Sequence, residues 1–334
     1  MAQDRNKEKG LIMHTYWRRL WIGALLSAVG IAEAGTLNPA RVPADASFVA
    51  HLDIEALRKS DIGAFLFEQL ETPEVETKFA EVTAALGMDI RKDLRSVTMY
   101  GLPGSGPAPA GAVLLEGNFD RQRVQDAVAT QADYRTTAYG NTVVHQWTNK
   151  ENQKTAYAAF LSDGILVMSD RLEATHFALD LDRRLVPSLA TRPGLIPARW
   201  TAAPPMLYAV IAMDQLPRPQ QAPALQGARR GFAALSEWVG QLSLEVAMEF
   251  ETAEQAEQLR KIVEGFTAMA ALNAEQNPDL AELAQKIQVV SEGQGVRMSL
   301  RWPTRKVREA IERARAGSRS PDLSPVPVAW PPAP

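Results

Sequence analysis

Residues 242–250 alternate without a break. Leu242, Leu244, Val246, Met248 and Phe250 fall at one parity, and Ser243, Glu245, Ala247 and Glu249 at the other. A period of two sends successive side chains to opposite faces of a strand, so the stretch predicts a half-buried strand. Residues 296–302 repeat the pattern, with Val296, Met298, Leu300 and Trp302 set against Arg297, Ser299 and Arg301. One-sided strands belong to antiparallel sheets with a helical core on one face and water on the other. The chain has no cysteine, so no disulfide can hold such a sheet together and its core must do so.

The N-terminus carries the three parts of a secretory signal. Arg18-Arg19 precedes an apolar run over residues 20–31, and Ala32-Glu33-Ala34 forms an A-x-A cleavage site before Gly35. Met13 offers an alternative start that shortens the n-region. A bilayer span needs roughly 17–25 apolar residues, which makes cleavage after residue 34 the expectation and an uncleaved anchor the alternative. The surroundings of the arginine pair match the twin-arginine pattern poorly, so the general secretory route is expected. Without cysteine there is no lipobox, and no Cys-ligated zinc or iron–sulfur centre is available. Removing the five basic and three acidic residues of positions 1–34 leaves 31 basic against 36 acidic side chains, a formal net charge of −5. That balance gives no electrostatic basis for nucleic acid as a partner. The local exception is residues 301–319, with seven basic side chains against Glu309 and Glu312.

The remaining chain divides into a first half over residues 35–185, a Pro-rich linker over 186–205, a second half over 206–316 and a Pro-rich tail over 317–334. Each half opens with a strand that ends in an aspartate, Asp53 in one and Asp214 in the other. Each then passes from a strand ending in Phe to a capped helix, at Phe119-Asp120 and at Phe250 with Thr252-x-x-Gln255. Phe119 to Gly164 and Phe250 to Gly295 both span 45 residues, filled by extra strands in the first half and by helix in the second. The expected fold is α+β, with two similar halves, each a largely antiparallel sheet covered on one face by helices. The tail, with Trp330 among its prolines, is expected to be extended.

Three groups of residues invite a functional reading. Glu245 and Glu249 with Arg297 and Arg301 could form a charged groove, although cross-strand pairing on a wet face explains them as well. His51 and Asp53 share a face of one strand and, with His145, could form a polar cluster for metal binding or base catalysis. No ligand spacing accompanies these histidines, and surface or core roles are the expectation. The apolar face of a helix over residues 253–276, with Leu259, Ile262, Val263, Phe266 and Met269, is either ordinary core or one wall of a ligand groove. No GxSxG, GxxxxGK[ST] or GxGxxG motif is present, and Asp180 and Asp182 at a helix end read as solvated carboxylates. No catalytic, cofactor-binding or metal-binding residues are assigned, and no cofactor is expected.

Val42-Pro43-Ala44-Asp45, the Asp53-x-x-x-Leu57 strand end and the hairpin Phe160-Leu161-Ser162-Asp163-Gly164-Ile165-Leu166-Val167 resemble a group of exported bacterial proteins without an established activity. The resemblance covers most of residues 42–316 and implies export and fold, with no site residues. The first functional expectation is therefore an exported, non-catalytic cell-envelope protein with a binding or structural role. A periplasmic carrier of an apolar small molecule or lipid is the alternative, and a hydrolase without a recognisable motif comes third.

Overall fold

The computed structural model describes residues 36–102, 110–149, 153–191, 205–215, 223–272 and 278–318. The expected signal peptide, most of the linker and nearly all of the tail lie outside the described residues. The chain opens with β1 (Phe48–Asp53), α1 (Ile54–Lys59), α2 (Asp61–Glu68), α3 (Pro73–Leu86) and α4 (Ile90–Asp93). After β2 (Leu94–Gly101) and β3 (Gly111–Gly117) come α5 (Arg121–Ala129), β4 (Ala132–Tyr139), β5 (Thr142–Thr148), β6 (Thr155–Ser162), β7 (Ile165–Ser169) and α6 (Leu172–Asp182). The rest comprises β8 (Leu207–Ala212), β9 (Ala228–Trp238), β10 (Gln241–Phe250), α7 (Ala253–Leu272), α8 (Pro278–Lys286), β11 (Ile287–Glu292), β12 (Gly295–Pro303) and α9 (Thr304–Ser318).

The fold is α+β, and its strands join into one open sheet of twelve in the order β11-β12-β10-β9-β8-β1-β2-β3-β7-β6-β5-β4. Every neighbouring pair is antiparallel. Read outward from the centre, β1-β2-β3-β7-β6 and β8-β9-β10-β12-β11 have the same order. The innermost strands β1 and β8 pair with each other, with Ala50 opposite Ala209. The interval after β3 is filled by α5 and the β4–β5 hairpin, and the interval after β10 by α7 and α8. The two halves thus share a strand order and fuse edge to edge into a single sheet.

Local chemistry explains the element ends. The apolar residues of 54–70 keep a single helical spacing, Leu57, Ile62, Phe65, Leu66 and Leu70, yet two helices form, because the Ser60 hydroxyl accepts from Gly63 N at 3.0 Å and caps α2. The elbow is tight: a Cβ on Gly63 would stand 1.7 Å from the Leu57 carbonyl oxygen. Asp120 Oδ1 accepts from Arg123 N at 3.1 Å to start α5. Thr252 and Gln255 form the expected reciprocal box, Thr252 Oγ1 accepting at 3.3 Å and Gln255 Oε1 at 3.1 Å. Asp170 and Glu173 have the spacing of a capping box, but α6 starts one residue later, with Arg171 at its N-cap and no side-chain cap.

The main core lies on the sheet face of Val49, with Tyr100, Leu114, Val167 and Val210, under Leu179 and Leu181 of α6. The segment leading to β1 closes the same core through Val42, and Leu189 from beyond α6 meets it there, with Ser188 bridged to Pro43. On the opposite face α5 packs Val124 against Trp147, Ala158, Phe160 and Leu166. At the far end α7 packs against Phe250 and Val296, while α9 and α2 close over Leu242.

Candidate functional site

β1 supplies the first set of residues. Register places Val49, His51 and Asp53 on one face, with Thr98 opposite His51 and Ser96 opposite Asp53. His51 is buried, with Nδ1 2.8 Å from Thr98 Oγ1 and its ring tilted 5.9 Å from that of Tyr208. Burial pushes the Tyr208 and Tyr100 phenols well above their usual range. Asp53 ends the strand and caps α1, Oδ1 accepting from Ala56 N at 2.8 Å. Its Oδ2 is buried with no hydrogen-bond partner.

Beside this stripe Asn38 and Arg41 face Ser96, Thr98, Leu114 and Glu116 across a small pocket. Its interior has room for about one water molecule, so it is too small for a substrate as it stands.

The third member of the expected polar cluster is elsewhere. His145 lies on β5, five strand positions from β1, a separation of about 24 Å at the usual strand spacing. It also points to the opposite face, since its neighbour Val144 joins the Val49 core. There Nδ1 lies 2.9 Å from the Tyr134 hydroxyl. Desolvation, with a smaller contribution from the nearby Arg121 charge, lowers its pKa below the ordinary imidazole value. His51 and Asp53 are brought together, and His145 is separated from them. Among the described residues no group of three or more His, Asp or Glu side chains is placed to hold a metal ion.

The charged groove is also rearranged. Glu249 pairs with Arg230 on β9 at 2.9 Å, and Arg297 pairs with Glu292 of its own hairpin at 3.9 Å. Glu245 is buried, whereas Leu244 beside it is exposed. The apolar parity of β10 is covered only at its ends, by α7 and by α9, and the centre of the strand is left open. The carboxylates at the end of α6 are structural, Asp180 accepting from the Tyr139 hydroxyl at 2.8 Å and Asp182 pairing with Arg41 at 2.9 Å.

α7 supplies the second set. Ala256 and Leu259 are buried on the sheet with Phe250 and Val296, and Val263 packs beside them. These side chains sit in direct contact with the strands, not across a cavity. Ile262, Phe266 and Met269 recur at helical spacing on an adjoining face and are exposed, as is Leu272. Phe266 is 66% exposed and Leu272 85%. The five residues expected to line one groove therefore divide, with Leu259 and Val263 turned to the core and Ile262, Phe266 and Met269 turned outward. The physical reason is that α7 is apolar over a wider arc than the strands beneath it can cover.

A further feature was not anticipated because β9 itself was not. The β9–β10 turn presents Trp238 at 71% exposure and Val239 at 82%. The available signal was Trp238-Val239-Gly240 standing directly before the clearest alternating strand in the chain.

No helix among the described residues is long and apolar enough to cross a membrane. No protein-family model matches the chain, and no curated protein matches it. Among solved structures, crystal form III of TP0453 is similar at a TM-score of 0.45 and 7% identity, over 84% of this chain and all of that one. Crystal form I of the same protein is similar at a TM-score of 0.42 and 7% identity, over 84% of this chain and 99% of that one.

Proposed function

We propose that this is an exported, non-catalytic protein of the cell envelope that acts by binding a protein partner through the outer face of α7. The observation that carries the reading is the exposed row of Ile262, Phe266, Met269 and Leu272. Fully burying a large apolar side chain is worth about 1.5–3 kcal/mol, so Phe266 and Leu272 alone offer several kcal/mol to a partner that covers them. The carrier alternative needs an enclosed apolar space beneath this helix. The closed contacts of Ala256 and Leu259 with Phe250 and Val296 favour the binding reading instead. His51 and Asp53 Oδ1 on the β1 stripe, and Asp180 and Asp182 on α6, are engaged in strand-to-strand, capping and helix-to-sheet bonds, which fits a scaffold role.

Two measurements test this reading. Mass analysis of the protein recovered from its native envelope should give a chain beginning at Gly35, and a chain recovered in the cytosol with residues 1–34 intact would contradict export. Affinity purification of the chain from that envelope should retain a defined partner that Phe266→Glu loses. Equal recovery with Phe266→Glu would contradict the assignment of α7.

A further inference from the structure

We propose that the tip of the β9–β10 hairpin docks the protein on an anionic membrane surface. The turn has two residues, Val239 and Gly240, between the cross-strand partners Trp238 and Gln241. Both turn residues adopt positive φ, +49° at Val239 and +68° at Gly240, as a type I′ turn requires. Asn-Gly is the usual solution, and a β-branched residue there is strained. The other two-residue hairpin turns follow ordinary turn chemistry, with Gly140-Asn141, Asp163-Gly164 and Gly293-Gln294. At this tip alone among them, a strained valine and a tryptophan stand in solvent. Local strain of this kind is kept where surrounding structure imposes it, and it concentrates at functional positions.

The charge beside the tip selects the occupant. Gly240 O accepts from Thr304 N at 2.9 Å, and Gln241 pairs with Pro303, so the start of the basic stretch 301–319 is fastened to the turn. Cross-strand register puts Trp238, Gln241, Pro303 and Arg301 on the same face of the sheet. Arg301 is exposed, and the Arg305 side chain is exposed in a solvent-facing pair with Glu309. Such exposed pairs are weak and exchange readily for another anion. Tryptophan suits the headgroup layer, where its ring meets hydrocarbon and its N–H meets water. Each basic side chain near an anionic surface adds to the attraction. Two projecting apolar side chains give a folded protein partner little area, but a bilayer accepts them without shape complementarity. The binding should be reversible and sensitive to salt.

The absence of cysteine makes a direct test available. In the full chain, Val239→Cys carries a unique environment-sensitive fluorophore, and Asn141→Cys carries the same label in the hairpin near the opposite edge of the sheet. On vesicles of phosphatidylcholine with about one-third phosphatidylglycerol, the label at 239 should shift to the blue and the label at 141 should not. Adding Arg301→Glu and Arg305→Glu, or raising salt from about 0.1 M to about 0.5 M, should reduce the response at least about threefold. In the unlabelled chain, Val239→Asn suits the turn and should raise thermal stability while lowering vesicle flotation. An unchanged label at 239, an equal response at 141, or an equal response on pure phosphatidylcholine would overturn the proposal. So would a label at 239 that responds only to envelope proteins.

Discussion

Glu237 accepts the backbone N–H of Ile62 through Oε2 at 3.0 Å, across 175 residues of chain. Its other oxygen accepts the Thr304 hydroxyl. One carboxylate on β9 thereby holds the N-terminal turn of α2 and the first residue of α9. A negative charge is favourable at a helix N-terminus, where N–H groups lack intrahelical partners. Glu237→Ala should lower unfolding free energy by about 3 kcal/mol or more, since two hydrogen bonds are lost and each to a charged group is worth about 1.5–3 kcal/mol. Glu237→Gln keeps an acceptor and should cost less. Urea denaturation reads both, and an unchanged midpoint in Glu237→Ala would show that the bridge is idle.

Asp53 separates a capping role from a chemical one. Oδ1 caps α1 and Oδ2 is buried without a partner. Asn keeps the capping oxygen and removes the buried charge, so Asp53→Asn should match or exceed the parent in thermal stability. Asp53→Ala removes the cap and should cost about 1 kcal/mol. Equal losses in both variants would mean that the carboxylate charge itself is required.

His145 gives the fold a defined acid sensitivity. Its native pKa lies below the ordinary 6.5, chiefly through desolvation. Between the two values the unfolded chain binds a proton that the native chain does not, so stability falls as pH drops below 6.5 toward the native pKa. Above 6.5 both states are neutral and the effect vanishes. Melting curves at about pH 7.5 and about pH 5.5 should differ more for the parent than for His145→Gln. An identical difference in both proteins would assign the acid sensitivity to other groups.

Much of this architecture was legible because it is written locally. The Thr252–Gln255 box, the Asp120 cap and the alternation of β10 and β12 each need only a few residues of context, and all are present. The equal spacing in the two halves reflects their common strand order, with α5-β4-β5 in one occupying the place of α7-α8 in the other. β4 escaped notice because an exposed edge strand has no apolar period to show. β9 escaped because small residues fall at both parities, Ala233 at one and Ala234 at the other, with Gly231 in the ladder. The burial of Glu245 beside exposed Leu244 was illegible for another reason. Alternation assigns residues to faces, but what covers each face is set by elements far away in sequence.

The same limit applied to α7, where one apolar face in sequence became an inner row of Ala256, Leu259 and Val263 and an outer row of Ile262, Phe266 and Met269. Only the width of the sheet beneath the helix decides that division. The outer row is where binding is assigned, and its most direct test is site-specific photo-cross-linking in the native envelope. A photoreactive amino acid replacing Phe266 should give a discrete protein adduct that Ile262→Glu abolishes, while the same probe at Glu264, exposed on the charged side of α7 beside Arg260, gives none. Identical adducts from both positions, or none from Phe266, would contradict the account.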